Sequence, residues 1–396
     1  MIPRRVVDTF DPRRLRLARE LRGWTKQRLA AELKAGDAQR AVTAAALSQF
    51  ESGTSRPSPQ TLSHVALTLG LPRSFFEVGR PISIADSGRA HMRSLRSTTL
   101  IERRRALAHA SIAWETFNHI EQYVDFPSAD LPHVVVDETT PLHVFEELAA
   151  SAREHFGLTP EQPVPNVVRL LESRGVVVLR LPLDSRHVDA FCITLDGRPF
   201  VLLSGDKADK ARSRFEAAHE LGHLIAHHDV EPGSNVVEKQ AHTFGGAFLM
   251  PGEALKAQLP RRVDWSAYIE AKRYWGVSLA SIVYQSQKLG LITKDMARRA
   301  YTELNARQNP DGTSWRKNEP GDLGAPEEPQ MLSMAIDLLK EHGVTPTTIA
   351  NACCISEEQV EFAIDDSRAA VMLELGADSH DKSRAHLFLG TLPGTY

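Results

Sequence analysis

The most constraining stretch of the 396-residue chain is ARSRFEAAHELGHLIAHH, residues 211–228. Its apolar residues recur with the 3.6-residue period of an α-helix. That winding puts His219 and His223, four apart, on one face about one turn from each other, close enough to share a metal ion, with Glu220 beside them. His227 lies one turn further, and at 1.5 Å per residue it is ~12 Å along the axis from His219. Three successive turns cannot easily wrap one tetrahedral ion, so His227 and His228 read as outer partners or surface residues. The competing reading is a helix whose histidines are merely hydrogen-bonded.

The period is different just upstream. VVVLRL, AFCITL and PFVLLS are strand-like, and Asp196-Gly197 between the last two is a hairpin signal. Helical spacing covers PLHVFEELAASAREHFGL and VPNVVRLLESRG before them, and 238–250, 264–275 and 278–290 after 228. This central part, 136–308, is therefore expected as a small α+β unit. A Pro/Gly/charge-rich segment, 309–329, reads as a linker. Residues 330–396 read as a small helical domain whose acids Glu357, Glu358, Glu361, Asp365 and Asp366 would repel phosphate, pointing to an interaction or effector-sensing role.

Composition matters chiefly through its distribution. The net charge of -3 hides a split: residues 1–80 hold 14 Lys+Arg against 7 Asp+Glu, and the remainder 33 against 43. A basic head on an acidic body suggests a nucleic-acid-binding module fused to something else. Residues 81–135 read as a basic linker and helix, whose Arg89, Arg93, Arg96 and Arg103 to Arg105 suit either solvent or DNA backbone. No run reaches the ~18 consecutive apolar residues of a membrane span, and the first residues lack a secretion signal. Three cysteines, Cys192, Cys353 and Cys354, make no disulfide framework, so a reducing, cytoplasmic setting is expected. The adjacent pair is read as buried small residues, with a redox switch as the alternative.

The basic head divides into short helices. Asp11 with Pro12, Thr25, Thr43, and Ser58 with Pro59 are helix-start signals, and LPRSFF makes a fifth short helix. Gln27, the LSQFESG stretch and PSPQTLSHVALTLG occur in order, and over residues 11–77 the chain resembles the helix-turn-helix family of Cro and the lambda-type repressors. The resemblance implies double-stranded DNA as partner, the third helix in the major groove, and a homodimer on a palindromic site. Thr43 would cap that helix and meet a phosphate, Leu47 and Phe50 would face inward, and Ala44, Ala45, Ser48 and Gln49 would face DNA, with Gln49 suited to adenine. Glu51 would be structural. The chain departs from the family by about six extra residues around AGDAQR. A helical bundle used for protein contact is the alternative.

The HELGH helix, followed by EKQAHTFGGAFLMP at 238–251, resembles the ImmA/IrrE family of zinc metallopeptidases, from about 140 to 300. The resemblance implies zinc held by His219, His223 and Glu238, and Glu220 as general base. A two-His-one-Glu set also accepts manganese. His242 stands where the family has Asn and is a rival ligand or transition-state donor. Gly245 and Gly246 replace alanines and are expected to loosen their helix by ~1 kcal/mol each. The fold class expected is multidomain: an all-α helix-turn-helix domain, an α+β zincin-like domain and a small helical C-terminal domain. The function expected is a DNA-binding regulator whose peptidase domain cleaves a repressor or antitoxin-like partner. A scissile bond in its own linker near 80–100 is less favoured, because that linker would have to reach Glu220. The alternatives are a non-proteolytic metal sensor and an antitoxin-like partner of a toxin.

Overall fold

The computed structural model describes residues 10–36, 42–77, 91–92, 99–181, 190–204, 209–228, 230 and 234–364. Most of the extra loop around AGDAQR, together with Arg89, Arg93, Arg96, Asp365 and Asp366, lies outside them. Helix α1 (Pro12–Leu21) starts at Asp11, whose side chain accepts the Arg13 amide, and α2 (Lys26–Gly36) follows a left-handed Gly23. Helices α3 (Ala44–Glu51) and α4 (Pro59–Leu69) are capped by Thr43 and Ser58. A 3-10 turn, Arg73–Phe76, closes this all-helical domain.

After strand β1 (His91–Met92) comes α5 (Leu100–Ile120), opened by a reciprocal Thr99–Glu102 cap. It is not a solvated linker helix. From Ala106 onward nearly every residue is buried, because small and apolar side chains surround the whole cylinder. The C-terminal helices α14 (Met331–Glu341), α15 (Pro346–Cys353) and α16 (Glu357–Ile364) pack with it. Cys353 is buried with its thiol 3.8 Å from the Glu115 carbonyl, and Cys354 takes a left-handed φ of 51° to end α15.

Between these lies the α+β unit: α6 (Leu142–His155), α7 (Val167–Ser173), β2 (Val177–Arg180), β3 (Phe191–Leu195), β4 (Arg198–Leu203), α8 (Lys210–Ala226), α9 (Asn235–Leu249), α10 (Gly252–Gln258), α11 (Trp265–Trp275), α12 (Leu279–Lys288) and α13 (Lys294–Ala306). The sheet order is β1-β3-β4-β2. The β3–β4 hairpin turns through left-handed Asp196 and Gly197, whereas β2 runs parallel to β4. Both sheet faces are covered. Val177, Leu179, Phe191, Ile193, Phe200 and Leu202 join the core that holds α5, the N-terminal helices and the C-terminal helices. Val178, Cys192, Val201 and Leu203 face the second core, under α8.

Segment 309–329 is pinned to the α+β unit. Glu319 takes the Lys272 ammonium (3.0 Å) and the Leu279 amide (2.8 Å). Glu327 pairs with buried Arg214 and accepts the Val167 amide at the start of α7 (2.7 Å). Among the described residues, no helix is long and apolar enough to cross a membrane.

Candidate metal centre and DNA-binding helix

Helices α8 and α9 meet closely because glycines stand at the crossing. A Cβ on Gly245 would lie 3.1 Å from the His219 backbone nitrogen, and one on Gly222 only 2.9 Å from the Phe244 ring. Gly245 therefore does not serve to loosen α9: it allows α9 to press against the turn of α8 that carries His219. The tip of the Gln285 side chain lies 2.6 Å from where a Gly246 Cβ would be.

This contact brings His219, His223 and Glu238 together. Their ligand atoms all lie within 4.8 Å of one another, and both histidines are 1% exposed. His219 Nε2 is 3.1 Å from His223 Nε2 and 3.2 Å from Glu238 Oε2, while Glu238 Oε1 is 3.5 Å from His223 Nε2. Both oxygens of the Glu238 carboxylate are buried without a hydrogen-bond donor. Two imidazole nitrogens and such a carboxylate, all within 4.8 Å, fit a divalent cation with three protein ligands, the set that in a tetrahedral site leaves the fourth position to an exchangeable ligand. His242 lies outside this group. Its ring stands against Phe215 (4.8 Å between centroids) and Tyr284 (5.9 Å).

Glu220 is buried on the same helix and accepts a hydrogen bond from the Cys192 thiol on β3. Burial first, and then the Glu220 charge, push that thiol well above its usual range, so it remains a proton donor to the carboxylate. Sequence reasoning missed this contact, although Cys192 sits at an inward position of a strand preceding the HELGH helix. A second set of contacts runs outward from the centre. His223 Nδ1 lies 3.0 Å from His227 Nδ1, and His227 Nε2 is 3.1 Å from Gln240 Oε1. Gln240 Nε2 donates to the carbonyls of Asp137 (3.0 Å) and Thr140 (3.1 Å).

In the N-terminal domain Thr43 accepts the Ala46 amide at 3.1 Å, which starts α3. Leu47 is buried and Phe50 half-buried. Gln27, Thr43, Ala45 and Gln49 are exposed, and Ala44 and Ser48 partly so. Ser48 is not a free hydroxyl: Lys26 Nζ donates to it at 2.9 Å. Glu51 receives Arg19 through two hydrogen bonds, 2.5 and 2.9 Å, joining α1 to α3.

Two family models match. The helix-turn-helix model covers residues 15–76, and the model described as IrrE N-terminal-like domain, a peptidase family, covers 171–286. The chain joins a helix-turn-helix DNA-binding domain to an IrrE N-terminal-like domain. Among curated proteins, none matches the chain. The IrrE N-terminal-like match contains β2 to β4, α8 and α9, hence Glu220 and all three metal-facing side chains. Helices α5, α14, α15 and α16 fall outside both matches.

Proposed function

We propose that the protein is a DNA-binding regulator that also hydrolyses a peptide bond at a zinc ion held by His219, His223 and Glu238, with manganese as the other cation such a set accepts. The observation that carries this reading is the buried Glu238 carboxylate, without a hydrogen-bond donor and facing two imidazole nitrogens. Bound there, the ion would supply Lewis acidity and lower the pKa of a water. Glu220 accepts the proton of the attacking water and returns it to the leaving amine, and the Cys192 thiol keeps the carboxylate oriented. Gln27, Thr43, Ala44, Ala45, Ser48 and Gln49 form the DNA-facing surface, used by a homodimer. The substrate is a repressor or antitoxin-like protein.

One observation favours a second substrate. The backbone of His91–Met92 pairs antiparallel with β3, His91 opposite Cys192, the residue that hydrogen-bonds Glu220. An extended peptide adds to a sheet edge in this way, so the chain's own segment already lies near the proposed base. The test is mass spectrometry of zinc-loaded wild type and Glu220→Gln, alone and with neighbouring repressors. Fragments of either substrate made by wild type alone support hydrolysis. Identical behaviour of the two in every cleavage and induction assay overturns it in favour of a non-proteolytic sensor.

A further inference from the structure

His227 is fully buried, stacks on Phe145 with ring centroids 5.5 Å apart, and has no part in the metal-facing group. Its contacts nevertheless determine how His223 presents itself. Gln240 Nε2 reaches two backbone carbonyls, Asp137 and Thr140, which only accept. The amide is therefore oriented, and its Oε1 is the atom that faces His227 Nε2. An amide oxygen only accepts, so His227 Nε2 carries a hydrogen. An imidazole that carries its one hydrogen on Nε2 has a lone pair on Nδ1. That lone pair faces His223 Nδ1 at 3.0 Å. His223 must then donate from Nδ1, which leaves its Nε2 bare, 3.5 Å from Glu238 Oε1 and 3.1 Å from His219 Nε2.

We propose that His227, oriented by Gln240, is the positioning residue that locks His223 in the Nδ1-protonated tautomer and so fixes its Nε2 lone pair toward the metal-facing group. The second imidazole takes the place that a carboxylate or backbone carbonyl usually holds behind a metal-bound histidine. The same chain ties α8, α9 and the 137–140 turn together, since His223 lies on α8 and His227 caps its C-terminal end, while Gln240 is two residues beyond Glu238 on α9. The metal consequence rests on the metal-site reading above; the tautomer itself does not.

The test has two arms. In the metal-free protein, long-range 15N–1H correlations on labelled histidines should give His223 as the Nδ1–H tautomer and His227 as the Nε2–H tautomer. The opposite assignment for His223 overturns the proposal without any mutation. In the second arm, zinc affinity is read by competition with a chelator. His227→Phe, which keeps a ring beside Phe145 but no acceptor, should lose affinity about 10–100-fold. His227→Gln, with an acceptor and a donor on one side chain, should recover most of it. Wild-type affinity in His227→Phe would overturn the positioning role. If wild type itself binds no zinc, the metal reading falls, and the correlation spectra still decide the tautomer.

Discussion

Gly245 shows how a single residue can reverse an argument made from the helix alone. By intrinsic propensity, Gly245→Ala should stabilise α9 by ~1 kcal/mol. A Cβ there would approach the His219 nitrogen to 3.1 Å and the Ala218 carbonyl carbon to 3.3 Å, backbone atoms that cannot step aside. Overpacking of this kind costs ~1–3 kcal/mol. The contact should win, so urea unfolding is expected to show Gly245→Ala destabilised by about 1 kcal/mol, with weaker zinc binding. Gly246→Ala meets only the far end of the Gln285 side chain, which can turn about its own bonds where backbone cannot, and should be neutral or slightly stabilising. Equal stabilisation by both would refute this account of the helix crossing. HELGH was legible because i, i+4 spacing alone sets two rings on one face. The reason for Gly245 was not, because it belongs to the neighbouring helix.

Among the elements, those with a clean period and a local signal could be read directly: α8, α9, strands β2, β3 and β4 and the Asp196-Gly197 hairpin, as well as the caps at Asp11, Thr43 and Ser58, whereas the two-residue strand β1 is too short to show a period. Helix α5 could not be placed, since a helix buried on every side has no amphipathic stripe to show which partner it needs. The ordering of 309–329 escaped for another reason: Glu319, Glu327 and Glu328 find their partners 40 or more positions away. Glu172 on α7 illustrates such a contact. Its carboxylate accepts the Gln330 and Met331 amides, both at 2.8 Å, and so caps α14. Burial outweighs these bonds and raises its pKa to about 7. Because the folded value lies above the ordinary one, this group's contribution is complete below about pH 4.5 and is lost as pH rises through 7. The shift corresponds to about 3 kcal/mol as an order of magnitude. Glu172→Gln can still accept both amides without ionising. Its stability curve should lack the decline between pH 4.5 and 7, and at pH 8 the variant should be the more stable protein. A wild-type curve that rises over that interval would contradict the assignment.

At the scale of the molecule, the DNA-binding domain is attached through a continuous core. Helix α5 contacts α1 on one side and α15 and α16 on another, and Phe117 reaches Phe200 of the sheet with ring centroids 6.0 Å apart. Arg14 of α1, 0% exposed, gives two 3.2 Å hydrogen bonds to Glu115 of α5 and lies over the Phe75 ring. Arg105 adds a bond from α5 to the Leu21 carbonyl (3.1 Å). An event at the sheet therefore has a packed route to the DNA-binding helices. Replacing one partner of a buried ion pair strands the other charge, which costs ~3–5 kcal/mol, so Glu115→Ala should be strongly destabilising. The pattern of the loss tests the architecture. If α5 makes one cooperative body of the N-terminal and C-terminal helices, amide exchange should accelerate together in α1, α5, α15 and α16, and DNA binding should be lost on heating in step with the C-terminal helices. A freely tethered domain would behave otherwise: α1 would exchange faster alone, while α15 and α16 kept their wild-type protection.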